Sequence, residues 1–145
     1  MDQSIAQESW TSRFINDNIN SELALCLMEH KKDPNSYWKN WIKVLPKSYS
    51  EFPIFYTEEE ISWLQGSPLK AVVIETRNKL HGDYELVANA MPEFKAQYSL
   101  HEYLESYAAV TSRTFNHDQV KKGTAAFVPV ADMINHSSTS PNCEY

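Results

Sequence analysis

Apolar residues recur at helical spacing along most of this chain, and an extended apolar run occurs near its end. Residues 23–28 are apolar nearly all round, which predicts a buried helix. Asn20 or Ser21 is expected to cap this helix, and Pro34 follows its end. A second helix, ending at Pro46, is predicted from apolar residues at i, i+3, i+4 and i+7, namely Trp38, Trp41, Ile42 and Leu45.

Three further helices are predicted from start signals that precede helical periodicity. Thr57 with Glu60, and Ser99 with Glu102, form capping boxes, in which each side chain bonds the backbone of the other residue. Between them, Ser67 before a proline predicts a long helix that ends before the proline at position 92. Its apolar stripe is expected at Leu69, Val72, Val73, Thr76 and Leu80, with a continuation past Gly82 to Tyr84, Val87 and Ala88.

A short strand is predicted at residues 125–130, without a convincing partner strand elsewhere in the sequence. It leads into Asp132, Asn135 and His136. Because burying Asp or Asn is costly unless the side chain is hydrogen-bonded, these residues either satisfy the local backbone or hold a ligand. Asp132 and Asn135 therefore also fit a simpler role as cap or turn residues, and Arg113 fits that of a solvated charge at a helix end.

Composition excludes several classes of function. At 145 residues the chain fits one small domain, and its net charge of −6 argues against a nucleic-acid partner. Cys26 and Cys143 are too far apart for a disulfide framework or a zinc spacing, which is typical of an intracellular protein, cytoplasmic or nuclear. We expect no signal peptide and no membrane span, while the oligomeric state stays open.

Metal and nucleophile chemistry finds little support in the residue spacing. His101 has Glu105 where a zinc-protease helix needs its second histidine, and the five histidines are scattered. Ser137 lacks the Gly-x-Ser-x-Gly elbow of a serine hydrolase. His136 and Cys143 suggest a thiol enzyme only weakly, because both lie in a polar, turn-like stretch. We predict no metal site.

Two motifs resemble those of a known family. Residues 110–115 read Val-Thr-Ser-Arg-Thr-Phe, similar to a Ser-Arg-x-Phe motif, and residues 128–137 read Val-Pro-Val-Ala-Asp-Met-Ile-Asn-His-Ser. Together with the helical segments before them, they resemble SET-domain protein methyltransferases of the branch typified by the Rubisco large-subunit lysine methyltransferase. The resemblance implies an α+β chain, a partial SET domain over 1–145, with a helical insert at about 21–111 and a cofactor and lysine-channel segment at about 112–145.

The resemblance also implies a role for each motif residue. Arg113, Asn135 and His136 would bind S-adenosyl-L-methionine. Ser112 and Asp132 would line the channel that receives the substrate amine, largely through backbone carbonyls. The apolar walls of the channel would include Phe115 and Tyr107. Catalysis would then depend mostly on positioning and on exclusion of water.

The implied function is methyl transfer to a lysine side chain of a protein substrate. The family's Gly-x-Gly cofactor loop and its catalytic tyrosine are absent from the chain, so we expect the middle part of a longer SET domain, inactive alone. Two alternatives stay open: a protein-histidine methyltransferase and a non-catalytic protein-binding remnant. The remnant would bind through aromatic side chains if they are exposed: Trp38, Trp41, Phe52, Phe55 and Tyr56.

Overall fold

The computed structural model describes residues 18–116, 125–134, 137 and 139. Six helices run through the first of these ranges, and two short strands follow them. The helices are α1 (Ile19–Lys32), α2 (Lys39–Ile42), α3 (Glu58–Trp63), α4 (Leu69–Ala90), α5 (Pro92–Gln97) and α6 (Leu100–Arg113). The strands are β1 (Thr114–Asn116) and β2 (Ala125–Phe127), and single 3-10 turns span Pro53–Phe55 and Ala131–Met133.

The core forms where α1 lies against α6. Every side chain from Leu23 to Met28 is buried, as the apolar run predicted. On α6, Tyr103 and Val110 are fully buried and face α1, so the helix that ends at Arg113 is anchored along its length. The predicted cap of α1 is wrong by two or three residues, because Asn18 rather than Asn20 or Ser21 accepts the hydrogen bond of the first turn.

Both predicted capping boxes are confirmed. Thr57 and Glu60 bond each other's backbone at the start of α3, and Ser99 and Glu102 do so at the start of α6. The second predicted helix is shorter than expected, because only Lys39–Ile42 is α-helical and tighter turns carry the chain on to Leu45. Trp41 of this helix is nevertheless buried, as its spacing predicted.

The inward face of α4 differs from the predicted stripe. Val73 and Leu80 are buried, but Leu69 and Val72 are 43% and 55% exposed. The face that packs inward continues through Tyr84, Val87 and Ala88 in the second half of the helix, as the predicted continuation had it. The start of α4 has little to pack against, and tertiary contacts rather than periodicity decide which apolar residues are buried.

Two elements were not predicted from the sequence. Helix α5 follows Pro92 directly and buries Phe94 completely between the rings of Tyr84 and Tyr98, whose centroids lie 5.6 and 5.1 Å away. Strand β1 pairs antiparallel with β2, so the expectation of an unpaired strand is wrong. The β2 strand also ends at Phe127 rather than at Val130.

No helix within the described residues is long and apolar enough to cross a membrane.

Candidate functional site

The pairing of β1 with β2 brings two polar segments to one end of the small sheet. Thr114 lies opposite Phe127, so the residues just before β1 lie beside the residues just after β2. Those before β1 are Ser112 and Arg113, in the last turn of α6. Those after β2 form the turn that leads to Asp132. A long-range strand pairing thus joins two motifs that are 19 residues apart in the sequence.

The turn after β2 has a strained backbone. Val130 has φ 77° and ψ −48°, close to the γ-turn that residues with a side chain rarely adopt. Two backbone hydrogen bonds close the turn: the Asp132 amide donates to the Val128 carbonyl at 3.0 Å, and the Met133 amide donates to the Val130 carbonyl at 3.1 Å. This turn directs the Asp132 side chain inward.

The Asp132 carboxylate is completely buried and is held from two sides. Its Oδ2 accepts a 3.0 Å hydrogen bond from Trp41 Nε1 and lies 3.4 Å from Arg113 Nη1. Arg113 Nη1 also lies 3.4 Å from the Asp132 carbonyl oxygen. The other carboxylate oxygen, Oδ1, is buried without a hydrogen bond to the described part of the chain.

These contacts decide between the alternatives for two residues. Asp132 does not act as a local cap, because its carboxylate bonds residues 91 and 19 positions away. Arg113 is not a solvated charge, since its side chain is 20% exposed and is paired with a buried carboxylate. Both residues therefore belong to one buried polar cluster with Trp41.

An open cleft of about 320 Å³ lies against this cluster. Ser112, Arg113 and Asp132 line one side of it, so three of the five polar residues predicted for the site come together. Residues 46–52 form the other side, and none of them was predicted to belong to the cofactor or lysine site. The lining residues on that side are Pro46, Ser48, Tyr49, Glu51 and Phe52. No local pattern marked this loop, because its part in the site depends on how α2 packs.

Tyr49 is the buried member of the loop. Burial raises the pKa of its phenol, and the nearby Arg113 guanidinium opposes that shift. Tyr49 therefore stays a neutral phenol at physiological pH. The loop also contributes the carboxylate of Glu51 to the cleft, and this side chain is exposed. On the loop side of the cleft, Glu51 is the source of negative charge.

Ser112 and the predicted residues outside the cleft differ in what surrounds their side chains. The Ser112 hydroxyl donates to the Ala108 carbonyl at 2.8 Å, so its side chain is occupied within α6. Tyr107 and Phe115 are half-buried and are not among the residues that line the cleft. Asn135 and His136 lie outside the described residues.

Side chains able to bind metals do not cluster in the described ranges, where no group of three or more His, Cys, Asp or Glu could hold an ion. The Cys26 thiol is buried in α1, and burial, with Glu29 adding to it, raises its pKa to about 12. Trp38, Phe52, Phe55 and Tyr56 are half-buried and Trp41 is buried, so the exposure required by a protein-binding remnant is not found at these five aromatics.

Comparison with known proteins supports the resemblance stated from the motifs. No protein-family model matches the chain. The chain is 26% identical over 121 residues to the Rubisco large-subunit N-methyltransferase of Nicotiana tabacum. The aligned region covers 80% of this chain and 24% of that protein. It is 29% identical over 131 residues to the actin-histidine N-methyltransferase of Xenopus tropicalis. That aligned region covers 82% of this chain and 22% of the relative. The chain thus spans about a quarter of the length of these curated relatives.

The fold matches a solved SET domain. The crystal structure of the SET domain of LSMT bound to lysine and AdoHcy superposes with a TM-score of 0.77 at 22% identity, covering 94% of this chain and 33% of that one. The same domain bound to methyl-lysine and AdoHcy gives a TM-score of 0.78. The predicted α+β partial SET fold is therefore confirmed, as is the likeness to the Rubisco-type branch.

Proposed function

We propose that this chain forms part of the catalytic unit of an S-adenosylmethionine-dependent protein methyltransferase, with a lysine side chain of a protein as the target. The observation that carries the proposal is that Ser112, Arg113 and Asp132 line one and the same cleft. Support comes from the relatives, which are N-methyltransferases by name, and from the fold, which matches a SET domain bound to AdoHcy.

The residues of the cleft fit the cofactor. Its volume of about 320 Å³ lies within the range of small-molecule sites. Arg113 would bind the carboxylate end of the cofactor, because guanidinium has five N–H donors and the contacts with residues 132–133 use Nη1. Asn135 and His136 would complete the site. When bound, S-adenosylmethionine supplies a methyl group on a positively charged sulfur.

The end of α6 supplies the polar groups that a methyl acceptor needs. Ser112 lies in the last turn of the helix, where backbone carbonyls have no partner within the helix. The C-terminal end of a helix also carries partial negative charge. Carbonyl oxygens placed there would accept weak hydrogen bonds from a polarised methyl group and stronger ones from the substrate amine. Because the Ser112 hydroxyl is occupied within the helix, its backbone carbonyl is the group that it offers to the cleft.

Charge favours lysine over histidine as the target. The Arg113–Asp132 pair has no net charge, which leaves Glu51 as the charged group on the opposite wall of the cleft. A carboxylate in the lining of the cleft and a chain with a net charge of −6 attract a cationic lysine more strongly than a histidine that is mostly neutral at pH 7. A protein-histidine methyltransferase is the second candidate, favoured by the 29% identity to the actin-histidine enzyme.

Calorimetric titration of the whole chain with S-adenosylhomocysteine tests cofactor binding. We expect binding that Arg113→Ala and Asn135→Ala each weaken at least tenfold, because each removes a direct hydrogen bond to the cofactor. Arg77→Ala is the matched control, since Arg77 pairs with Glu58 and bonds the Tyr56 carbonyl but does not line the cleft. A wild-type chain that is folded by circular dichroism yet binds no S-adenosylhomocysteine would overturn the proposal.

A second titration separates lysine from histidine. With S-adenosylhomocysteine bound, free lysine should shift NMR signals of the cleft residues, whereas norleucine, which lacks the ε-amine, should not. Glu51→Gln should weaken lysine binding by a few-fold, because it removes the negative charge of the loop wall. Binding of histidine in place of lysine would favour the second candidate.

We also propose an intracellular location, cytoplasmic or nuclear, supported by a sequence whose two cysteines, far apart, form no disulfide framework pattern. Imaging of a fluorescent fusion tests this location, and secretion of the fusion would contradict it.

A further inference from the structure

The strained turn after β2 is held at both ends by one side chain from a distant helix. Trp41 of α2 packs edge-on against Phe127, three residues before Val130, with ring centroids 4.7 Å apart. Its indole N–H bonds Asp132, two residues after Val130, at 3.0 Å. Strained backbone persists only where the surroundings fix it firmly, and Trp41 makes contact on each side of the strained residue.

We propose that Trp41 is a positioning residue for the cofactor site, acting through Asp132 on Arg113. The inference rests on the proposed function, because it assumes that Arg113 binds the carboxylate of the cofactor. Trp41 is 8% exposed and does not line the cleft, so it would influence a ligand only through Asp132 and Arg113.

The contacts connect the Trp41 indole to the Asp132 carboxylate, and the carboxylate to the Arg113 guanidinium. A fully buried carboxylate is stable in one orientation only if hydrogen bonds hold it there. Trp41 supplies the shortest of these bonds, at 3.0 Å, whereas Arg113 lies 3.4 Å away and is partly exposed. With Oδ2 fixed by the indole, the guanidinium is held against the turn while its other N–H donors can face the cleft. Loss of the indole N–H leaves the carboxylate free to rotate and Arg113 with it.

Packing alone is the competing explanation for Trp41, and a matched pair of variants addresses it. Trp41→Phe keeps an aromatic ring against Phe127 but removes the N–H donor. Trp38→Phe removes the same atoms three residues earlier, from a half-buried indole whose ring nitrogen has no hydrogen bond to the described residues. The two variants change the size of the aromatic side chain equally. Because Trp41 is buried and Trp38 is half-buried, their comparison controls for side-chain size, and the resonance of the indole proton then separates the hydrogen bond from packing.

The first experiment measures S-adenosylhomocysteine affinity of the whole chain by calorimetry, with circular dichroism as the check on folding. We expect Trp41→Phe to weaken binding by about tenfold, the loss that corresponds to one hydrogen bond to a charged group. Trp38→Phe should bind within twofold of wild type. Equal affinities of wild type and Trp41→Phe would overturn the role of Trp41 and leave the proposed function intact. A folded wild-type chain without affinity would overturn both.

A spectroscopic measurement identifies the hydrogen bond itself. The Trp41 indole proton, assigned by its absence in Trp41→Phe, should resonate downfield as a donor to a carboxylate. It should move upfield in Asp132→Asn, because an amide oxygen is a weaker acceptor. Addition of S-adenosylhomocysteine should shift this resonance and leave that of Trp38 in place. A binding-competent wild type whose Trp41 resonance does not respond to the ligand would show that Trp41 serves packing alone.

Discussion

Replacement of Val130 by glycine should stabilise the chain, although a valine-to-glycine change destabilises a protein at most positions. Val130 has φ 77° and ψ −48°, near the γ-turn conformation. Strained backbone of this kind costs on the order of 1–3 kcal/mol. Glycine adopts positive φ without a steric penalty, so the substitution removes that cost.

Two smaller terms oppose this gain. The extra freedom of glycine in the unfolded chain costs about 0.5–1 kcal/mol. The Val130 side chain is 79% exposed, so loss of its remaining burial costs no more than about 0.5 kcal/mol. The difference is an increase of about 0.5–1 kcal/mol in the free energy of unfolding, with the strain as the largest contribution.

Val128→Gly is the matched control, two residues earlier. Val128 has no positive φ to relieve, and its side chain is 38% exposed. The control should therefore lose about 2 kcal/mol, from unfolded-state entropy and from lost burial. Urea unfolding followed by far-UV circular dichroism measures both variants, with an unchanged dependence on urea showing that the unfolding transition is the same. If both variants are destabilised alike, the backbone at Val130 carries no strain.

Four further measurements test the core and the helix that carries the site. Phe94→Ala should lower the free energy of unfolding by about 3–5 kcal/mol, because the ring is fully buried; a loss under 1 kcal/mol would contradict its burial. Ser99→Ala should cost about 1 kcal/mol by removing the N-cap of α6, with Ser62→Ala expected to be near neutral. The pKa of Glu102 is lowered: its desolvation acts in the opposite direction, and hydrogen bonds from Ser99 and Lys32 outweigh it. The stability that its ionised form contributes is therefore lost as the pH falls below its ordinary pKa of 4.5. Glu102→Gln should therefore flatten the acid side of a plot of the free energy of unfolding against pH, and an unchanged plot would contradict this. Iodoacetamide at pH 8 should leave the Cys26 peptide unmodified in the native chain and alkylate it in urea, since its pKa is about 12; rapid labelling of the native chain would show that α1 opens.

Two helix starts, those of α3 and α6, were predictable because their causes are local. The capping boxes at Thr57 and Ser99 require only residues three positions apart, and both occur as predicted. The buried run in α1 was equally clear, since an all-apolar helix can only lie in a core. The inward face of α4 was not, because Leu69 and Val72 are apolar yet the fold places little over the start of that helix.

Elements that depend on distant partners were missed. Strand β1 contains three residues, and only its pairing with β2 makes them a strand. The cleft lining at residues 46–52 and the short helix α5 were missed for the same reason. Burial of Tyr49 and Phe94 is decided by the neighbouring helices rather than by periodicity. The division of the chain at about residues 111 and 112 stays a prediction, and α6 continues across it to Arg113.

Asp132 shows why the sequence left two interpretations open at the candidate site. An aspartate that follows a strand fits a turn residue, and the backbone of Asp132 does close a turn by bonding the Val128 carbonyl. Its carboxylate meanwhile bonds Trp41, which sequence spacing identified only as one apolar member of a helical face. The local role therefore belongs to the backbone amide of Asp132 alone, and its carboxylate does not cap the turn. The backbone role is visible in the local sequence, but the side-chain role needs a partner 91 residues away. A polar residue that serves both purposes cannot be replaced by a better turn former without loss of the second, so Asp132→Gly should preserve the turn and release Arg113.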